Sequence, residues 1–152
     1  MGKLRALLSD KSVVKKCLFA AYTIFIVWYT LRIREPRGAE RGFKPELFWA
    51  IREWIVNPTV ESKKEAVQYL LNVLFFIPYG LLFPWKDNWK RVFVTALVLS
   101  ISIELSQFIF NLGWCEVDDV ISNTLGATIG WGAIRQISRN GLTLKSVGRI
   151  VS

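Results

Sequence analysis

A run of twenty residues without a single charge, "AVQYLLNVLFFIPYGLLFPW" from Ala66 to Trp85, decides the fold class of this chain. At about 1.5 Å per residue, a helix of this length reaches across the ~30 Å hydrocarbon core of a bilayer. Uncharged segments of this length are typical of helices that meet lipid on their outer surface. The run therefore predicts a membrane-spanning helix.

Further apolar blocks lie on both sides of this run, and charged residues are concentrated between the blocks. We predict four spans, at about residues 15–33, 66–85, 92–112 and 119–136, of which the last is the least hydrophobic. The whole chain of 152 residues is 52% hydrophobic and has a mean hydropathy of +0.31, which exceeds what a soluble domain of this size needs. The sequence thus predicts an all-α, polytopic membrane bundle that forms a single domain over residues 1–152.

A shorter helix is expected in the first loop, where "PELFWAIREWIV" occupies residues 45–56. On a helical wheel its apolar side chains share one face: Leu47, Phe48, Ile51, Trp54 and Ile55. A short amphipathic helix of this kind lies on a membrane surface or caps the end of a bundle. We predict an interfacial helix in the first outer loop.

The distribution of Lys and Arg predicts how the chain is oriented. The N-terminal segment and the C-terminal tail are basic, as is "KDNWKR" at residues 86–91, whereas "GWCEVDD" at residues 113–119 has no basic residue. Since basic loops remain in the cytoplasm, the pattern predicts a multi-pass protein of the cell membrane with both termini inside. The long connection at residues 32–65 then lies outside; it carries eight basic residues, offset by six acidic ones.

Polar residues within the predicted spans repeat at helical spacing. Three such stripes are found, made of Gln68, Asn72 and Tyr79, of Ser100, Glu104, Gln107 and Asn111, and of Asp119, Asn123, Gly126 and Gly130. From the predicted span limits, Asn72, Glu104 and Asn123 each lie roughly 4–6 Å to the outer side of their helix midpoints.

This shared depth has two explanations. A carboxylate facing lipid is costly, so Glu104 is expected to face the bundle interior. The first hypothesis is a functional cluster of Asn72, Glu104, Gln107, Asp119 and Asn123, in which Glu104 meets Asn72, Gln107 and Asn123. The alternative is that these residues only form hydrogen bonds between helices.

Other residues are assigned structural roles. Gly126 and Gly130 are four residues apart and predict a helix-packing face. Pro78, followed by Gly80, predicts a kink in the second span. Asp118 is predicted to cap the N-terminus of the fourth span.

The composition also excludes several kinds of site. The chain has no histidine, which removes Ser-His-Asp and Cys-His catalysis and most zinc sites. The basic residues behind the net charge of +8 flank the apolar blocks, so nucleic acid is not an expected partner. Cys17 and Cys115 are predicted on opposite sides, ~30 Å apart, and cannot form a disulfide. The acidic residues of the outer loop lack the spacing of a cation-binding loop, and we expect no metal and no cofactor.

Three segments in this order, "NVLFFIPYGLLFPW", "IELSQFIF" and "DDVISNTLGATIG", resemble the VanZ-like family of small membrane proteins. The positions that recur in that family correspond here to Asn72, Phe76, Pro78, Gly80, Glu104, Gln107, Asp119, Asn123, Gly126 and Gly130. The family name comes from a protein associated with low-level teicoplanin resistance in Gram-positive bacteria. The resemblance therefore implies antibiotic resistance or another role in the cell envelope, and it implies no agreed activity.

Three functions are compatible with these residues. The first is binding, at the outer face of the membrane, of a glycopeptide or a lipid-linked cell-wall precursor, with membrane lipids as constant partners. The second is an intramembrane enzyme that uses Glu104 or Asp119 on a lipid-linked substrate, which the absence of histidine and of a soluble catalytic domain disfavours. The third is a purely structural membrane subunit. The sequence does not determine the oligomeric state.

Overall fold

The computed structural model describes residues 10–33, 42–85 and 88–151, and the structure is almost entirely helical. The elements in chain order are α1 (Lys11–Ile33), β1 (Phe43–Lys44), α2 (Trp49–Val56), α3 (Val60–Leu82), α4 (Trp89–Ile109), β2 (Cys115–Glu116) and α5 (Val117–Val151). The two short strands form a parallel pair in which Phe43 lies opposite Cys115 and Lys44 opposite Glu116.

Three of the described helices are long and apolar enough to cross a bilayer. They cover Lys11–Arg32, Val60–Leu82 and Trp89–Ile109, and they overlap the first three predicted spans over most of their length. The fourth predicted span, residues 119–136, lies within α5, whose amino-terminal half carries many polar residues and which does not reach the same hydropathy. The number of four spans therefore stays a prediction.

The ends of the spans differ from the sequence estimate because local chemistry sets them. The helix α3 begins at Val60, six residues before Ala66, since Thr59 and Ser62 form a reciprocal capping box. It ends at Leu82 instead of Trp85 because Phe83 precedes Pro84, and a residue before proline disfavours the helical conformation. The helix α4 stops at Ile109, shortly before Asn111 takes the left-handed conformation with φ of 57°.

The helices α3 and α5 form the most extensive contact in the bundle. Glycines allow it: a β-carbon on Gly126 would overlap the carbonyl oxygen of Val73, and one on Gly130 would overlap that of Ile77. Gly80 lies equally close to the Ala127 carbonyl from the other side. The two backbones therefore touch directly, which is the usual role of small residues between membrane helices.

The proline that was predicted to kink the second span lies within α3. Pro78 is inside α3, where its ring leaves the carbonyl oxygen four residues earlier without a backbone donor. The Tyr22 hydroxyl of α1 donates to the neighbouring Phe75 carbonyl at 2.8 Å. This hydrogen bond connects α1 to α3 next to the proline.

The segment before α3 is attached to the bundle through the short helix α2. The predicted amphipathic helix forms from Trp49 to Val56, and Leu47, Phe48, Trp54 and Ile55 remain exposed. The backbone N–H groups of Phe48 and Trp49 donate to the Asp118 carboxylate at 2.7 and 3.2 Å. The contact of the exposed apolar side chains with a membrane surface stays a prediction.

Candidate functional site

A cavity of about 450 Å³ lies among α1, α3, α4 and α5. The five polar residues singled out from the sequence all line it: Asn72 from α3, Glu104 and Gln107 from α4, and Asp119 and Asn123 from α5. The structure thus brings together side chains that are up to fifty-one residues apart in the chain. It does so because their helices cross with the polar stripes facing one another.

A chain of hydrogen bonds joins α3 to the start of α5. The Asn72 amide donates to Asp119 Oδ1 at 2.6 Å, and its own oxygen accepts from the exposed Gln68 amide at 3.1 Å. Asp119 is only 6% exposed and lies in the first turn of α5, where the free backbone N–H groups favour a negative charge. Asn72 therefore connects a surface amide to a buried carboxylate.

Glu104 accepts a hydrogen bond from the backbone of β2, a partner that was not predicted for it. Its side chain is 2% exposed, and Oε2 accepts a hydrogen bond from the Glu116 N–H of β2 at 3.1 Å. Of the partners expected from helical depth, Asn72 donates to Asp119, and Asn123 donates to Ser100 Oγ at 2.9 Å. The chain reversal after α4 brings β2 back over the end of that helix, which the helical spacing could not show.

The side chain of Gln107 has one hydrogen bond and one buried oxygen without a donor. Its amide nitrogen donates to the Thr30 carbonyl of α1 at 3.2 Å. The Gln107 Oε1 is buried, and no hydrogen-bond donor reaches it within the described part of the chain. A buried acceptor without a donor costs about 1–3 kcal/mol, so a donor supplied by a ligand would be stabilising here.

The rest of the cavity wall is apolar and aromatic. Leu71 and Leu74 of α3 line it and are 50% and 59% exposed, which extends the cavity to the outer surface of the bundle. Tyr22 and Tyr29 of α1 form the facing side. The site therefore has a polar interior and an apolar opening.

The lining of the cavity by α1 was not predicted from the sequence. Tyr22, Tyr29 and Thr30 line the cavity, yet none was placed among the candidate residues. A signal was present, because Tyr22 and Tyr29 are seven residues apart and so lie on one face of the helix. Aromatic residues in a membrane helix have many other uses, which makes that signal weak.

Cys115, outside the apolar spans, lies near several carboxylates at the β2 end of this site. Burial raises the pKa of the Cys115 thiol, and the carboxylates of Glu104, Asp119 and Glu116 raise this pKa further. Glu116 also pairs with Lys44 of β1 at 3.6 Å. Several acidic groups thus lie near the point where β1 meets the bundle.

Comparison with known proteins agrees with the resemblance seen in the motifs. A family model described as VanZ/LLP1 matches residues 19–139, which include every residue that lines the cavity. The chain is 36% identical over 85 residues to Protein VanZ of Enterococcus faecium, a match that covers 53% of this chain and 51% of that protein. The chain thus spans about half the length of the curated relative it matches, and no solved structure matches it. With a family match across most of its length and three helices able to cross a bilayer, the chain is a membrane protein that belongs to the VanZ/LLP1 family.

Proposed function

We propose that this protein binds an amphiphilic ligand in the cavity, at the outer face of the cell membrane, and acts thereby in teicoplanin resistance or cell-envelope maintenance. The observation that carries the proposal is the convergence of five polar side chains from three helices on one cavity with an apolar opening. A site for an amphiphile needs both features: polar groups for the head and a lipid-facing surface for the chain.

The size of the cavity limits what enters it. Its volume of about 450 Å³ falls within the ~300–1,000 Å³ of typical ligand pockets. A whole glycopeptide is far larger than this. If the ligand is a glycopeptide or a lipid-linked cell-wall precursor, only an acyl chain or a sugar of it occupies the cavity, and the remainder lies outside.

The polar groups favour a head that donates hydrogen bonds. Gln107 Oε1 is a buried acceptor, and the carboxylates of Glu104 and Asp119 are acceptors when ionised. Hydroxyl, amide N–H and amine groups are the matching donors. A sugar, a peptide or an amine therefore suits this site.

One observation also supports catalysis as a second candidate. Glu104 and Asp119 place two carboxyl groups on the same cavity, and such a pair supplies an acid and a base in hydrolytic enzymes. In this alternative the substrate is lipid-linked and enters through the apolar opening. Turnover of the bound amphiphile by purified protein, lost in both Glu104→Gln and Asp119→Asn, separates catalysis from binding.

The test of the site is Glu104→Gln. The substituted side chain keeps its shape and an oxygen that can accept from the Glu116 N–H, so the protein is expected to fold and insert normally. If ionised Glu104 binds the ligand, the variant loses most of the teicoplanin tolerance that the wild-type gene restores to a deletion strain. The measurement is the minimum inhibitory concentration of teicoplanin, divided by the amount of folded protein in the membrane.

A matched control lies on the same helix. Ser102 is exposed on α4, and its described hydroxyl contact is with the Val98 carbonyl of the same helix, so Ser102→Ala is expected to keep full activity. Glu104→Leu removes the acceptor altogether, at about 1–2 kcal/mol for a membrane hydrogen bond, and is expected to lower the amount of protein. Full tolerance in Glu104→Gln would return Glu104 to a purely structural role and overturn the proposed site.

A further inference from the structure

A second cavity lies at the opposite end of the bundle, beside the turn between α3 and α4. Its volume is about 520 Å³, and it opens onto the surface of the protein. Its walls come from the residues that end α3 and from the first two turns of α4: Phe83, Trp85, Lys90, Arg91, Val94 and Thr95. None of these residues belongs to the cavity among α1, α3, α4 and α5, which we call the outer cavity after the predicted orientation of the chain.

Polarity changes along this second cavity over one helical turn. Lys90 and Arg91 lie in the first turn of α4 and are exposed, whereas Val94 comes one turn further along the helix and is 53% exposed. Buried Phe83 and half-exposed Trp85 complete the apolar side. The cavity therefore has a charged rim and an apolar interior that continues toward the hydrophobic part of α4.

The charge at the rim is positive. Within the part of the chain that the structure describes, no carboxylate pairs with the Lys90 ammonium or the Arg91 guanidinium. The Lys15 ammonium of α1 donates to the carbonyl of Phe83, a residue of the cavity wall, at 2.8 Å. The amino terminus of α4 contributes a further partial positive charge at the same place.

We infer that this cavity binds one anionic phospholipid, with the lipid phosphate at Lys90 and Arg91 and an acyl chain along Val94. Charge complementarity selects the headgroup, because basic residues at a membrane surface favour anionic over zwitterionic lipid. The apolar interior selects a lipid over a water-soluble phosphate. The inference is independent of the outer cavity and of its ligand.

Native mass spectrometry of the purified full chain in detergent tests this site. Phosphatidylglycerol and phosphatidylethanolamine are titrated separately, and the first bound lipid is quantified. Wild-type protein is expected to bind phosphatidylglycerol more tightly. In the double variant K90Q/R91Q that affinity is expected to fall about 25-fold, since each basic residue near anionic lipid contributes about fivefold.

The control pair sits at the far end of α3. Lys63 and Lys64 are also adjacent, basic and exposed, and K63Q/K64Q is expected to bind phosphatidylglycerol like the wild type. Unchanged affinity in K90Q/R91Q, or an equal loss in K63Q/K64Q, would overturn the assignment. The thermal midpoint of each variant without added lipid shows whether it is folded.

Two further arms test the apolar part of the site. Val94→Trp fills the cavity but keeps both cations, and it is expected to weaken phosphatidylglycerol binding at least as strongly as K90Q/R91Q. Glycerol 3-phosphate, which carries the phosphate without acyl chains, is expected not to displace the lipid at millimolar concentration. Normal binding by Val94→Trp, or displacement by glycerol 3-phosphate, would show that no acyl chain occupies the cavity.

Discussion

Asp118 links α2 to the bundle through a single buried side chain. Both of its carboxylate oxygens accept backbone N–H groups from the start of α2, and the residue is 2% exposed. The prediction that it caps its own helix was wrong, because its described partners lie seventy residues earlier in the chain. Phe48, which donates one of these bonds, has φ of 55° and so adopts a conformation that bulky residues disfavour. The carboxylate compensates for that strain.

Replacing Asp118 with Ala is therefore expected to release α2. The substitution removes the acceptor of two N–H groups, and the loss of a capping side chain costs about 1–2 kcal/mol. Hydrogen exchange at the Phe48 and Trp49 amides, followed by mass spectrometry, is expected to accelerate about tenfold while the amides of α3 exchange as before. Glu53→Ala is the control, because Glu53 is exposed and its described side-chain contact is with Asn57 of the same segment. Equal exchange in Asp118→Ala and wild type would show that α2 is held by other contacts.

At the scale of the elements, the contact between α3 and α5 sets the shape of the outer cavity. Asn72 and Asp119 come from these two helices and meet at 2.6 Å, a separation that depends on how closely the backbones cross. The crossing is close because Gly126 and Gly130 leave room for carbonyl oxygens of α3. Helix packing and the geometry of the candidate site are thus one feature of the molecule.

We expect Gly126→Ala and Gly130→Ala each to destabilise the protein by about 1–3 kcal/mol, the usual cost of overpacking a tight contact. The neighbouring Gly132 offers a matched control on the same helix, since a β-carbon there meets nothing within 4 Å. Gly132→Ala is expected to be neutral or slightly stabilising, because alanine favours a helix over glycine by up to about 1 kcal/mol. Thermal midpoints in one detergent compare the three variants. A Gly126→Ala protein as stable as Gly132→Ala would mean that the two helices cross less closely than the structure shows.

At the scale of the whole molecule, the distribution of Lys and Arg predicts which end faces outward. Because both terminal segments are basic, we predict that they lie in the cytoplasm. The acidic segment around Cys115 is then outside. The two cysteines suit a test, because Cys17 lies near the start of α1 and Cys115 in β2, and both are free thiols.

A membrane-impermeant maleimide added to intact cells is expected to label Cys115 and to spare Cys17. The thiolate is the form that reacts, and the raised pKa of Cys115 lowers the thiolate fraction at neutral pH. Labelling of Cys115 is therefore expected to be slow at pH 7 and to keep rising with pH beyond the range in which an ordinary thiol reaches its plateau. Single-cysteine variants, Cys17→Ser and Cys115→Ser, identify the labelled position by mass spectrometry. Labelling of Cys17 alone would invert the orientation and place the candidate site on the cytoplasmic side.

The sequence by itself determined the features that depend on near neighbours in the chain. Apolar runs predicted four spans, and three of them correspond to helices able to cross a bilayer, because the thickness of the membrane imposes a minimum apolar length. Helical periodicity placed Glu104 and Gln107 on one face of α4, since that relation is local. Three motifs in the right order were sufficient to predict the family to which the chain belongs.

The tertiary structure alone decided which groups meet. It pairs Asn72 with Asp119, Glu104 with the Glu116 N–H and Asp118 with α2, and it brings Tyr22 and Tyr29 of α1 to the cavity. These contacts join residues far apart in the chain, and they depend on the rotation and crossing of each helix and on the path of the reversal after α4. Periodicity specifies the direction of a side chain relative to its own helix axis. Only the packing of one helix against another specifies what lies opposite.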